Sequence, residues 1–173
     1  YVTRYALAGN ALMGGLYASE LIMRLTARDD PHPRLFDTFE ALLHTMAAGA
    51  PAIVALRFFE RDLLDELGYG LTLTHDALDA PIEADTRYRY EPDSGVWPVT
   101  AVANNELSVA GATLIDLAEG RLTQRERLRE ARDLLQAALA PHLGSKPLKS
   151  VATLKAMQQF ADTRQPLPRT DDR

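Results

Sequence analysis

Leu56-Arg57-Phe58-Phe59-Glu60-Arg61-Asp62-Leu63-Leu64-Asp65-Glu66-Leu67-Gly68-Tyr69-Gly70 decides the fold. Pro51 marks the start of the run, since a helix's first turn has no use for the amide that proline lacks. Gly68 and Gly70 flank its end, because glycine enters the left-handed conformation that closes a helix without a Cβ clash. Between them, Val54, Phe58, Leu63, Leu64 and Leu67 form an apolar face. The stretch therefore predicts a helix that stops at Gly68 and packs against others.

Working outward, residues 33–49 predict a second helix, opened by Pro33 and stopped by Gly49, with Leu35, Phe36, Phe39, Leu42, Leu43 and Met46 on one face. Residues 11–28 predict a third, with Leu12, Leu16, Leu21, Ile22 and Leu25 at helical spacing. Short links between three such helices imply an antiparallel bundle. Downstream the helical period is lost over 71–102. Arg87-Tyr88-Arg89-Tyr90 alternates, Pro92-Asp93-Ser94-Gly95 is turn chemistry and Val96-Trp97-Pro98-Val99 follows, which predicts a β-hairpin with Pro98 on an edge strand. Helices then resume from Ser108, a plausible N-cap, to Gly120, over 123–142 and over 150–160. The fold class is mainly α, a helical bundle with a small hairpin insertion. One domain is expected over 1–162, with 163–173 a disordered tail.

Composition excludes several classes of function. The 173 residues are 46% hydrophobic and 25% charged, ordinary for one globular domain with a sizeable core. With no cysteine there is neither disulfide nor thiolate metal site, which suits a reducing cytoplasm. No apolar run approaches the roughly 20 residues that span a bilayer. The net charge of −5 hides a split: residues 1–120 hold 8 Lys+Arg against 18 Asp+Glu, whereas residues 121–173 hold 11 against 6. A basic end on an acidic body can meet a polyanion that the net charge would repel. The plainer reading is a solvated helix face on which Arg125, Glu126, Arg129 and Asp133 pair with one another.

No catalytic constellation is present. His32, His44, His75 and His142 fall on different elements without a carboxylate or second histidine at ligand spacing, and no phosphate-cradling glycine loop or nucleophile elbow occurs. Tyr69 between two glycines reads as a helix cap whose ring packs back on the bundle. The segment Leu143-Gly144-Ser145-Lys146-Pro147-Leu148-Lys149-Ser150 reads as a joint between helices. Gly144 ends one helix, Pro147 stiffens the turn and Ser150 caps the next. Lys146 can serve the carbonyls left open at the preceding helix end. The same joint can be read as a small anion-binding patch carrying Lys146 and Lys149.

These segments, in this order, resemble the RecO family of bacterial recombination mediators. Gly15-Leu16-Tyr17-Ala18-Ser19-Glu20-Leu21 is similar to the family's Gly-Leu-Tyr-x-x-Glu-Leu. Leu56-Arg57-Phe58-Phe59-Glu60 is similar to its Leu-Arg-Arg-Phe-Glu, and Leu67-Gly68-Tyr69-Gly70 to its Leu-Gly-Tyr-Gly. Tyr88-Arg89-Tyr90 falls where the family has a tyrosine-rich hairpin, and 143–150 resembles Leu-Gly-Gly-Lys-Pro-Leu-Lys-Ser. One such match is weak; several in order are specific.

The resemblance implies the α-helical C-terminal domain of a protein whose N-terminal oligonucleotide-binding barrel is missing from these residues. It implies a DNA repair and recombination mediator and not an enzyme, one that helps load recombinase onto single-stranded DNA. Implied partners are the acidic, phenylalanine-ended tail of single-stranded-DNA-binding protein, a RecR-type mediator and DNA, bound weakly by this piece; implied localisation is cytoplasmic, with the nucleoid. Arg57, Phe58 and Arg61 are the implied tail-binding residues, with Lys146, Lys149, Arg125 and Arg129 as anion or DNA contacts. Some relatives hold zinc through cysteines in the hairpin region; here no metal or cofactor is expected, and Tyr88, Tyr90 and Trp97 would hold the hairpin by packing. Without the resemblance, Arg57 reads as a bundle arginine paired with Glu60 or Asp65. The alternative function is a helical nucleic-acid-binding or small-ligand-binding bundle unrelated to that family.

Overall fold

The computed structural model describes residues 5–27, 31–99 and 107–151. Three helices come first: α1 (Gly9–Leu25), α2 (Pro33–Ala47) and α3 (Ala52–Glu66). Strands β1 (Arg87–Glu91), β2 (Gly95–Val99) and β3 (Ser108–Ala110) follow, then α4 (Gly111–Glu119) and α5 (Arg125–Leu143). A helical turn opens at Lys149. The fold is mainly α with a small sheet, as the sequence patterning predicts. The rest of the helix expected over 150–160, the boundary at 162 and the tail over 163–173 lie outside the described residues.

Helix α3 ends as its glycine predicts. Gly68 has φ +80°, its N–H donates to Asp65 O (3.0 Å) and the Tyr69 N–H donates to Leu64 O (2.8 Å). Two of the carbonyls left open at the helix end are thereby satisfied. Tyr69 packs back, stacked on His142 of α5 with ring centroids 3.7 Å apart.

The inward face of α1 differs from the expected leucine stripe. Leu12 and Leu16 are largely exposed, and the buried face is Gly14, Gly15, Ala18 and Leu21. A Cβ at Gly14 would lie 3.1 Å from Met46 Sδ, and one at Gly15 would lie 3.1 Å from Leu7 Cδ1. Small residues let α1 approach its neighbours closely, so the leucines are turned out. On α2, Leu35, Leu42 and Met46 are buried, but Phe36 is 67% exposed and is not a core residue as its spacing suggested. Leu35 and Leu42 lie one heptad apart and take the inward stripe, and Phe36, one position on, points away from it.

The sheet has three strands, not two. β1 lies in the middle, antiparallel to both neighbours, in the order β2-β1-β3. Tyr88 pairs with Pro98 on one side and Val109 on the other, so Pro98 does sit on an edge. The Tyr88 ring is buried and its hydroxyl accepts from the Glu83 N–H (2.9 Å). Trp97 contributes a bond from Nε1 to Ser94 Oγ (2.8 Å), and Val96, opposite Tyr90, is buried. Ser108 is not an N-cap: it lies in β3 opposite Arg89, and α4 starts three residues later. At that start a Cβ on Gly111 would overlap the Glu83 carbonyl, so no larger residue fits the approach.

Both ends of α4 are finished from a distance. None of the five helices has a side-chain cap from its own N-cap residue. Around the start of α4, Glu130 of α5 accepts from the Ala110 N–H (3.2 Å) and Thr113 Oγ1, while Gly111 and Ala112 donate to the Thr86 and Ala84 carbonyls. At the other end of α4, Arg61 of α3 donates to Leu117 O (2.6 Å) and Ala118 O (3.2 Å). A cation there also opposes the negative end of the helix dipole.

Candidate functional site

Two polar assemblies share α1. The first is buried. Arg57 and Glu60, one turn apart on α3, are 4% and 0% exposed, and Arg57 Nη2 donates to Glu60 Oε1 (2.9 Å). Tyr17 OH of α1 donates to the same oxygen (2.7 Å). Among the described residues, Arg57 Nε and Nη1 and Glu60 Oε2 have no hydrogen-bond partner. Burial pushes the Glu60 carboxyl up, against the pull of Arg57, Tyr17 and the more distant Arg132. Burial, then the Glu60 charge, pushes the Tyr17 hydroxyl up as well. Arg57 thus has the bundle pairing with Glu60, its guanidinium turned inward.

The second assembly is the joint. Glu20, three residues beyond Tyr17, accepts from the Lys149 N–H (2.8 Å), the Ser150 N–H (2.8 Å) and Ser150 Oγ (2.7 Å). Arg24, four residues further on, pairs with Glu20 (3.2 Å) and donates to the carbonyls of Pro147 (2.8 Å) and Lys146. Burial raises the Glu20 carboxyl, but the Ser150 and Lys149 bonds with Arg24 alongside outweigh it and bring it down to about 2. Gly144 ends α5 with φ +70°, as expected. The described turn opens at Lys149, one residue before the expected cap, and the Ser150 hydroxyl and amide both donate to Glu20; the amides that Ser150 was expected to serve lie outside the described residues. The cation that meets the carbonyls of the joint is Arg24, and Lys146 offers its own carbonyl. Lys146 and Lys149 are both exposed.

The three tail-binding candidates are thus split. Phe58 lines an apolar groove between α2 and α3 of about 380 Å³, with Leu42, Ala55 and Phe59 and the polar Asp37 and Asp62. Arg61 lies over the Phe58 ring at 5.5 Å and holds Asp62 at 2.7 Å. Arg57 faces the other side of α3, toward Tyr17. Arg125 and Arg129 are exposed on α5, and neither has an ion-pair partner among the described residues. The pairing expected between Arg129 and Asp133 is absent: Asp133 pairs with Arg132 (2.7 Å), Arg127 with Asp116 and Glu130 with Arg87 (2.9 Å).

A larger cleft of about 520 Å³ lies between the 68–79 loop, the β1–β2 turn and the end of α5, with Tyr69, His75, Asp76, Asp79, Asp93 and His142 on its walls. Its lining is polar and acidic, unlike the apolar pocket with a few converging polar groups that a small-ligand bundle presents. Among the described residues no group of three or more His, Asp or Glu side chains is placed to hold a metal ion, and no helix is long and apolar enough to cross a membrane.

Glu20, the Tyr17–Glu60–Arg57 cluster and the joint thus bring together three segments that are far apart in sequence. The same residues are spanned by the family model described as "Recombination protein O C terminal", which matches 7–152. The chain belongs to that family. "DNA repair protein RecO" of Pseudomonas putida (strain W619) is 44% identical over 144 residues, covering 83% of this chain and 63% of that protein. The protein of the same name from Stutzerimonas stutzeri (strain A1501) is 42% identical over 144 residues, covering 83% and 60%. That from Alkalilimnicola ehrlichii is 42% identical over 156 residues, covering 89% and 62%. The chain spans about three fifths of the length of these RecO relatives.

Within the RecO C-terminal fold, the first resembling segment owes its tyrosine and glutamate to two separate contacts, one into the core and one to the joint. Sequence reasoning matched that segment but assigned Tyr17, Glu20 and Arg24 no role. The signal available was the i, i+4 acid–base pair at 20 and 24, beside an unexplained tyrosine.

Proposed function

We propose that this chain is the helical part of a DNA repair and recombination mediator, acting by docking and not by catalysis. The observation that carries this reading is the family match over 7–152, together with relatives named for DNA repair. The groove between α2 and α3 takes the aromatic end of an acidic peptide tail, as single-stranded-DNA-binding protein would present it. Phe58 and Phe59 meet the ring, and Arg61, with about a quarter of its side chain exposed, meets the terminal carboxylate. Arg57 supports α3 from behind, its guanidinium engaged by Glu60. Lys146 and Lys149 at the joint, with Arg125 and Arg129 on α5, give DNA phosphate a weak, salt-sensitive contact. A RecR-type mediator is a further partner, and the setting is the bacterial cytoplasm at the nucleoid.

Titration calorimetry with an acidic peptide ending in phenylalanine tests the docking. Arg61→Ala is expected to weaken binding by about 1.5–3 kcal/mol, the range for hydrogen bonds to charged groups, and Arg61→Lys to restore only part of it. Removing the terminal phenylalanine costs as much or more, because ring burial supplies much of the affinity. Wild-type affinity in folded Phe58→Ala and Arg61→Ala variants would place the tail elsewhere.

A further inference from the structure

The groove between α2 and α3 carries its acids at one end only. Phe39 and Phe59 pack across the two helices with ring centroids 6.2 Å apart, and Arg34 pairs with Glu66. The helices therefore run antiparallel in a register that sets Asp37 across from Asp62 and Thr45 across from Ala55. All four line the groove, so both carboxylates stand at the same end of it. Asp62 is held by Arg61 at 2.7 Å, whereas Asp37 is exposed with no ion-pair partner among the described residues. At the far end Thr45 is exposed on the groove wall, and from Leu43 to Leu56 the chain has no acidic residue. Glu40, between Asp37 and Thr45 in sequence, is engaged elsewhere and accepts from Tyr5 OH at 3.3 Å.

We infer that this charge pattern fixes the direction of a bound acidic tail: its terminal carboxylate lies at Arg61, its acidic residues leave past Thr45, and Asp37 bars them from the other end. This direction rests on the reading of the groove as the docking site for such a tail. A ring beside Phe58 and a carboxylate at Arg61 anchor the last residue, and from there the preceding ones can run either way. Toward Asp37 they meet an exposed carboxylate; toward Thr45 they meet none. Like charges repel across several ångströms at a protein surface, and a penalty on one of two otherwise similar poses is enough to select the other. Asp37 is thus a specificity-determining residue that works by exclusion.

Fluorescence anisotropy at low salt, with an acidic peptide that ends in phenylalanine and is labelled at its other end, reads the direction from the sign of each change. Thr45→Lys should tighten binding about threefold and Thr45→Asp weaken it about threefold, both effects shrinking as salt rises. Asp37→Asn removes an acid far from those of the tail and should change affinity by less than about 1.5-fold. A peptide that keeps its terminal phenylalanine but carries asparagine and glutamine in place of its acids should lose the response to Thr45. If Asp37→Asn tightens binding while the Thr45 variants bind like wild type, the tail runs the other way and the inference is overturned. Equal responses at both positions, or none at either, overturn it as well. Phe58→Ala and Arg61→Ala, measured alongside, keep the two failures apart. If they weaken binding, the docking site stands whatever the charge variants show; if both fold and bind like wild type, the docking site fails and the direction with it. An acid at Thr45 is unfavourable near the negative end of α2, so should Thr45→Asp not fold, Thr45→Lys decides alone, because a gain in affinity cannot come from unfolding.

Discussion

Glu20 and Glu60 are both engaged by α1 or borne on it, yet their surroundings drive them in opposite directions. Glu60 is fully buried, with two donors on one oxygen and, among the described residues, none on the other. Glu20 lies near the surface and uses both oxygens on amides, a hydroxyl and a guanidinium. Burial dominates the first and raises its pKa; hydrogen bonding wins at the second and lowers it from 4.5 to about 2. A carboxylate's contribution to a fold thus depends less on having a cation nearby than on whether every lone pair is answered.

The difference has a sign in acid. Glu20 has a depressed folded pKa, so the stability it contributes is present above pH 4.5 and is lost as pH falls from there toward 2. Glu60 has a raised folded pKa, so its charged form costs stability once pH rises through the ordinary carboxylate range, and that cost is absent below it. The buried cluster is relieved by acid and the joint is released by it.

The largest effect is expected from breaking the buried pair on one side. Glu60→Leu alone leaves Arg57 buried without a counter-charge and should destabilise by about 3–5 kcal/mol in urea unfolding. Adding Arg57→Met should recover most of that, because a well-packed apolar pair avoids both desolvation costs. A double variant as unstable as the single one would mean the pair contributes more than its own desolvation takes away. Next comes Tyr17→Phe, which removes one donor from Glu60 and should cost about 1–3 kcal/mol while pushing the Glu60 carboxyl further up. An unchanged urea midpoint would show that Arg57 alone satisfies that oxygen.

Glu20→Gln sharpens the comparison from the other side. At neutral pH it should cost about 1–2 kcal/mol, and the variant's stability should be flatter than wild type between pH 4.5 and 2. Parallel acid profiles for the two proteins would remove Glu20 as the source of acid sensitivity. The smallest effect is expected from Arg61→Met, where α4 loses its C-terminal partner but remains packed; about 1 kcal/mol is expected. Differential scanning calorimetry resolves it, and no shift would mean water replaces the guanidinium at Leu117 and Ala118.

Much of the architecture was legible in local pattern. The glycine stops at 49, 68, 120 and 144 all take positive φ. The hairpin and its edge proline follow from alternation and turn chemistry, and the resemblance to the RecO family rests on short motifs that the family match bears out. The candidate site was legible only in parts. Phe58 and Arg61 do meet beside an apolar groove, and Lys146 and Lys149 are exposed on the joint. Arg57 reads the same on the chain whether it faces a partner or Glu60, and only the third dimension turns it inward. The third strand was missed because Ser108 also suits a cap, and three residues are too few to show alternation. Leu16 and Phe36 were misplaced because periodicity ranks residues by apolarity, whereas α1 packs through Gly14 and Gly15 and α2 through the stripe of Leu35 and Leu42.

By itself the sequence determined where helices stop and which class of fold they build, because propensity, proline and glycine act through neighbours in the chain. What finishes α4 and the joint was decided by tertiary structure. None of α1 to α5 has a side-chain cap from its own N-cap residue, and at α4 and the joint the satisfying groups come from elsewhere: Glu130 for the start of α4, Arg61 for its far end, Glu20 and Arg24 for the joint. Glu20 and Ser150 are 130 residues apart. A hydrogen bond is indifferent to sequence separation, so its partner becomes visible only once packing has brought the two segments within about 3 Å.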